Sequence, residues 1–184
     1  MGDRSFLVEL GEKICPDVNC RVQQLMRQLQ DACLPGVREL APGYRSFLVV
    51  VGPLAITPDH LKARILEIDA GSATAGLPPA KRVTVPVFYG GEYGPDLDAV
   101  AAHLSTSTDE VIRLHTGTIY RVYMIGFTPG YPYLGELPIE LAVPRRSTPR
   151  TRVPKGSVGI AQRQTGIYPV ESPGGWQIIG WTPI

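Results

Sequence analysis

Apolar and polar positions alternate with different periods along the chain, and the period changes mark its elements. Residues 5–10 (SFLVEL) read as a short strand. Pro16 then opens a helix whose Val18, Val22, Leu25, Met26 and Leu29 recur at the spacing of one helical face, until Pro35-Gly36 ends it. Residues 37–40 (VREL) and 46–51 (SFLVVV) predict a pair of strands around the turn at Pro42-Gly43. Thr57 is placed to cap a second helix, with Pro58 in its first position and Leu61, Ile65 and Ile68 on its apolar side. The order strand–helix–strand–strand–helix predicts a ferredoxin-like α/β domain built on a split βαβ unit.

The pattern lapses over 70–80 (AGSATAGLPPA), where small residues and two prolines have little to bury. We read it as a linker dividing an N-terminal domain, 1–78, from a second domain, 79–184. The second part opens with a strand over 83–89 (VTVPVFY), in which Pro86 marks an edge or a bulge. A short helix follows, with Leu97, Val100, Ala101 and Leu104 on one side; Ser107 and Glu110 form a capping box for another, ending near His115. From Ile119 onward the segments YRVYMIGF, GSVGIA, GIYPV and WQIIGW read as strands cut by Gly and Pro, which fits a small irregular barrel or sandwich. The fold class predicted for the whole chain is α+β.

Bulk composition narrows the partners. Of the 184 residues, 43% are hydrophobic and 19% charged, and the formal net charge is +1; this describes a chain able to fold, with no global attraction to nucleic acid or to an anionic membrane. No apolar run reaches the roughly 18 residues that a membrane span needs, and no leader pattern opens the chain, so a cytoplasmic protein is expected. The three cysteines, Cys15, Cys20 and Cys33, cluster in one segment far from His60, His103 and His115. That spacing predicts neither a disulfide framework nor a metal site.

Three stretches hold candidate chemistry. Residues 144–155 (PRRSTPRTRVPK) carry Arg145, Arg146, Arg150, Arg152 and Lys155 without one acid. Guanidinium forks grip carboxylates or phosphates, although such a run can equally be a solvated loop. Residues 126–135 (GFTPGYPYLG) put two prolines, three glycines and three aromatics directly after an apolar strand. Those aromatics either plug a core or line a surface that something else touches. In 164–176 (QTGIYPVESPGGW), Gln164 and Thr165 offer polar groups beside Gly166, and Tyr168 and Trp176 add flat rings. Ser172 lacks a nucleophile-elbow context, and no Walker-type loop is present. His115 is a candidate general acid or base, or a cation favoured by its helix C-terminus.

Taken together, YGGEYGPDLDAVA (89–101), YRVYMIGFTPGYPYLGEL (120–137) and the run 144–183 resemble the allophanate hydrolase subunit 1 family, which includes the B component of 5-oxoprolinase (PxpB) and the sporulation-kinase inhibitor KipI. The likeness extends over nearly the whole chain, GDRSFLVELG and PGYRSFLVV included. It implies that the second domain is a cyclophilin-like β-barrel. It also implies the role of B component in an ATP-dependent 5-oxoprolinase that opens 5-oxoproline to glutamate. The partners would be allophanate hydrolase subunit 2 (the C component of 5-oxoprolinase), which carries a homologous barrel, and the A component of the same enzyme. The assembled complex would use the ATP, with no cofactor bound by this chain, and the substrate would be a small carboxylate or amide. Family members point to two alternatives: a regulator that binds a sensor histidine kinase, and a carboxyltransferase component of the allophanate hydrolase or urea carboxylase type. The resemblance implies a binding role at Phe127, Pro129, Gly130, Tyr131, Arg150, Arg152, Gln164, Thr165 and Tyr168, and assigns proton transfer to none of them.

Two departures from the family pattern stand out. Trp181 occupies a position where Arg is expected, which removes one anion contact. Relatives also continue past Ile184 with further strands, so a truncated barrel with an unpaired edge is expected.

Overall fold

In the computed structural model, residues 4–52, 54–71 and 79–184 are described. The chain divides into two compact units, Met1–Lys81 and Arg82–Ile184. Residues 72–78 of the expected linker lie outside the described residues.

The first unit runs β1 (Ser5–Glu9), α1 (Pro16–Asp31), β2 (Val37–Pro42), β3 (Ser46–Val51) and α2 (Pro58–Ala70). Its sheet has the order β1-β3-β2, both pairings antiparallel, so β3 separates the parallel β1 and β2. Among the described residues this sheet has three strands, one fewer than a complete ferredoxin-like sheet. Val22, Leu25, Met26 and Leu29 of α1 are buried against Phe47, Val49 and Val51 of β3 and Leu61 and Ile65 of α2. The Thr57 hydroxyl accepts the His60 N–H at 3.3 Å, which starts α2 as its place before Pro58 predicts.

The second unit contains β4 (Phe88–Tyr89), α3 (Leu97–His103), α4 (Thr108–Thr116), β5 (Arg121–Ile125), β6 (Pro132–Gly135), a 3-10 turn at Ile139–Leu141, β7 (Arg150–Val153), β8 (Ser157–Ala161), β9 (Gln164–Ile167), β10 (Ser172–Gly174) and β11 (Gln177–Trp181). Six strands form one antiparallel sheet in the order β4-β11-β8-β9-β6-β5, and β10 pairs with β7 in a separate ribbon. Both units mix helices with antiparallel sheet, an α+β arrangement.

The expected cyclophilin-like β-barrel is not what forms. No sheet closes: among the described strands, β4 pairs only with β11 and β5 only with β6, which leaves both edges of the six-stranded sheet open. Closure requires the outermost strands to pair along a shared length. Here β4 is two residues long, because the strand expected over 83–89 enters the ladder only at Phe88, after the donor-less Pro86.

Each face of this sheet buries a different set of residues. On one face, Val158, Ile160 and Ile179 pack with Leu97, Val100 and Val111 from the helices and Leu137, Leu141 and Val143. On the other, the rings of Tyr131, Tyr168 and Trp176 gather with Val153 and Ile178. Glycines make room for those rings. A Cβ at Gly166 would lie 2.5 Å from the Tyr131 hydroxyl, and one at Gly174 would lie 2.3 Å from the Tyr168 hydroxyl. Among the described residues, no helix is long and apolar enough to cross a membrane.

Gly166→Ala therefore overpacks the tyrosine face. A loss of about 1–3 kcal/mol in urea-unfolding stability is expected, and an unchanged midpoint would show that Tyr131 can move aside.

Candidate functional site

Asp96 organises the basic segment of the second unit. It ends the loop 90–96, which can lie against β11 because Gly94 has no side chain: a Cβ there would come within 2.1 Å of the Ile179 carbonyl. Asp96 is 4% exposed, and its carboxylate takes four N–H bonds. Arg150 binds both oxygens through its two Nη atoms at 2.8 Å, Arg146 Nη1 reaches Oδ1 at 2.9 Å, and the Ile178 N–H reaches Oδ2 at 2.6 Å. The carboxylate beside it raises the Arg150 pKa. Arg152 instead pairs with Glu171 at 2.6 Å on the surface, where an ion pair contributes little.

His115, in the last turn of α4, is buried between three neighbours. Its Nδ1 lies 2.7 Å from the Tyr89 hydroxyl and its Nε2 3.0 Å from Thr165 Oγ1. The Thr165 hydroxyl donates to the Gly159 carbonyl at 3.1 Å, so it accepts from His115 Nε2–H, and Nδ1 then accepts from Tyr89. This is the neutral imidazole. Burial lowers the His115 pKa to about 4, outweighing any attraction of the helix C-terminus for a cation. Burial also raises the phenols on either side: Tyr89 well above its ordinary value, and Tyr120, whose hydroxyl donates to the His115 carbonyl at 2.9 Å, to about 12. The relay ties β4, α4, β9 and β8 together.

Beyond β5, the loop 126–131 answers both readings of its aromatics. Tyr131 is 2% exposed and plugs the ring cluster, 5.1 Å from Tyr168 and 5.9 Å from Trp176 between centroids. Phe127 is 61% exposed and sits edge-on above Tyr131 at 5.7 Å. It is held there by strained backbone: its φ is +65°, and the Thr128 N–H bonds back to the Gly126 carbonyl at 2.7 Å, closing a γ-turn. Pro129 and Gly130 are exposed beside it, and Gly130 lies next to Pro169.

Comparison with known proteins places the chain. Residues 1–184 match the family described as carboxyltransferase domain, subdomain C and D. The chain is 38% identical over 198 residues to the B component of 5-oxoprolinase from Bacillus subtilis (strain 168), covering 100% of this chain and 81% of that protein. It is 40% identical over 185 residues to the corresponding 5-oxoprolinase component of Escherichia coli O157:H7, covering 100% and 83%. The chain belongs to the PxpB family of 5-oxoprolinase components, also called allophanate hydrolase subunit 1. Among solved structures, TTHA0988 superposes with a TM-score of 0.85 at 36% identity; the match covers 98% of this chain and 35% of that longer one.

In this PxpB-family chain, the residues singled out from sequence separate into three groups. Phe127, Pro129 and Gly130 form an exposed hairpin tip above Tyr131 and Tyr168. Gln164 is half-buried at the start of β9 and, by strand alternation, shares the face of Gly166 and the rings. Thr165 points the other way and is 1% exposed against His115, while Arg150 is held by Asp96 and Arg152 by Glu171. Trp181 stacks on Tyr93 at 5.5 Å, with its indole N–H on the Lys155 carbonyl. Sequence reasoning passed over Asp96. The signal for it was the acid-free basic run itself, whose guanidiniums need a carboxylate from elsewhere when they fold inward. Among the described residues, no cluster of His, Cys, Asp and Glu can hold a metal ion.

Two measurements follow from these ties. Asp96→Ala leaves two guanidiniums facing a vacated pocket, and a loss of about 3–5 kcal/mol is expected in denaturant unfolding of the second unit; a loss under about 1 kcal/mol would show that the cluster is dispensable. For His115, the folded-state value near 4 lies below the ordinary 6.5. The unfolded chain therefore binds the proton first as pH falls, so stability present above about pH 6.5 drains away down to about pH 4, by about 3 kcal/mol in all, and is constant below. His115→Gln should flatten that slope, as read by thermal unfolding across the window.

Proposed function

We propose that this chain is the B component of an ATP-dependent 5-oxoprolinase, non-autonomous in catalysis, whose second unit binds rather than carries out proton transfer. The observation that carries this reading is the end-to-end match to two bacterial proteins named as that component, at 38% and 40% identity over the whole of this chain. Its partners would be the A and C components of the enzyme, the ATP would be used by the assembled complex, and the substrate would be the small cyclic amide 5-oxoproline. The occupied nitrogens of His115 favour a binding role, since a general base needs a free lone pair aimed at substrate.

The proposed binding surface is the ring-bearing face of the second unit. Phe127, Pro129 and Gly130 would make its contact edge, Tyr131 and Tyr168 its rigid support, and Gln164 and Arg152 its polar margin. Thr165 and Arg150 would act from beneath by holding β9 and β7 in place. A strained turn that keeps a large apolar ring in solvent supports this assignment, because such strain persists where a contact makes use of it.

Glutamate release from 5-oxoproline should appear only when the chain, the A and C components, and ATP are combined. Its absence from a fully assembled complex would overturn the reaction assignment. Phe127→Gly relieves the left-handed backbone and loses one ring contact, so stability should stay within about 1 kcal/mol. Association with the partner components should weaken at least roughly tenfold, as for an exposed aromatic anchor; unchanged assembly would remove the hairpin tip from the contact surface.

A further inference from the structure

Helix α1 ends at Asp31, and Cys33, with φ at +45°, turns the chain into Leu34-Pro35-Gly36. Gly36 has φ at +92°, and a Cβ there would lie 3.0 Å from both the Ala55 Cβ and the Ile56 Cγ2. Ala55 and Ile56 thus pack directly against the Pro35-Gly36 turn. Between these segments and the first turns of α2 the surface sinks into an open hollow of about 230 Å³. Ala32, Leu34 and Pro35 line it from the end of α1, and Ala55 and Ile56 line it from the approach to α2. His60 and Arg64 of α2 complete the wall.

The polar part of this wall has one sign. His60 and Arg64 are four residues apart, so they share a face of α2. A third cation stands close by. A Cβ on Gly52 would lie 3.3 Å from Arg38 Nε and Nη2 and 3.6 Å from the Ala55 Cβ, so the Arg38 guanidinium borders the Ala55 side of the hollow. Among the described residues Arg38 has no ion pair, and no carboxylate lines the hollow. Asp31 and Asp59, neighbours in sequence of lining residues, are exposed and outside it. Arg64 pairs with Glu67 on its own helix, in solvent, where such a pair contributes little and gives way to a better placed carboxylate.

We propose that this hollow docks an acidic segment of a partner protein, with one large apolar side chain seated in it and the flanking carboxylates on Arg64 and Arg38. Size selects the occupant. The hollow exceeds the roughly 150 Å³ that holds benzene and falls short of the about 300–1,000 Å³ of pockets that enclose whole ligands, so it suits a single side chain of a longer segment. Charge selects the neighbours of that side chain: three cations with no lining acid attract a negative partner and oppose a positive one. Leu54, fully exposed beside Ala55, extends the apolar margin that such a contact would cover. The hollow lies wholly within the first unit, and it stands or falls apart from the oxoprolinase reading.

The test is titration of the full chain with the blocked peptide Glu-Asp-Phe-Asp-Glu, followed by calorimetry and by the NMR signals of Ala55 and Ile56. Saturable binding that weakens as salt rises is the expected result. Replacing the peptide's Phe by Ala should cost at least about tenfold. Arg38→Gln and Arg64→Gln should each cost about twofold to fivefold, with Arg113→Gln in the second unit without effect. Ala55→Trp fills the hollow and should abolish binding; where it lowers the melting temperature, the two arginine variants decide alone. If phenylacetate binds through Arg64 as tightly as the peptide, the hollow is a small-acid site and the partner assignment falls. No saturable binding, equal affinity for Lys-Lys-Phe-Lys-Lys, or unchanged affinity in both arginine variants would overturn the proposal, whatever the glutamate-release assay shows.

Discussion

A single buried carboxylate holds the second unit's long loops in place. Asp96 accepts four N–H groups from three residues: Arg146 before β7, Arg150 within it and Ile178 in β11. Its own backbone N–H donates to the Ile178 carbonyl at 2.9 Å, and its carbonyl accepts from Val100 to start α3. The segment 144–149 has no ladder of its own, so these bonds replace the hydrogen-bonded sheet that would otherwise set its course. The arrangement is conditional on both partners. Two guanidiniums without the carboxylate, or the carboxylate without them, would leave buried charge uncompensated at a cost that exceeds what the intact cluster contributes.

The same physics separates residues that look interchangeable. Arg145 and Arg146 are adjacent and chemically identical, yet Arg146 is bound to Asp96 and Arg145 is exposed with no ion pair among the described residues. Thr165 and Gln164 are also neighbours, and strand alternation sends the hydroxyl to His115 and the amide to the opposite face. The side on which a residue falls therefore decides whether it is tied into the unit or left towards its surface.

Legibility in the sequence followed periodicity. The apolar faces of α1 and α2 stood out because Val22, Leu25, Met26 and Leu29, and Leu61 and Ile65, repeat at helical spacing, and the proline starts marked their ends. The strand expected over 83–89 shrank to Phe88–Tyr89, since an apolar run says nothing of whether a ladder partner exists. A closed barrel was expected from the resemblance, whereas closure depends on the pairing of β4 with β5, a long-range relation that no local pattern encodes. The tyrosines hid for a related reason. Gly and Pro erase the period around Tyr131 and Tyr168, so their burial shows only when Gly166 and Gly174 are seen opposite them. Asp96 was one acid in a polar turn, and its role appears only with the arginines that lie 50 and 54 residues downstream.

The glycine slots beneath the rings bear on motion as well as on fit. Tyr131 fills the place where a Cβ of Gly166 would be, and Tyr168 does the same at Gly174. Each phenol thus ends in a slot walled by strand backbone, and its hydroxyl end cannot shift sideways while that strand stays in place. Such a shift occurs only when the strands part for a moment, because a close-packed interior has no spare volume to lend. The seating of these two rings is thereby tied to the breathing of the sheet beneath Phe127.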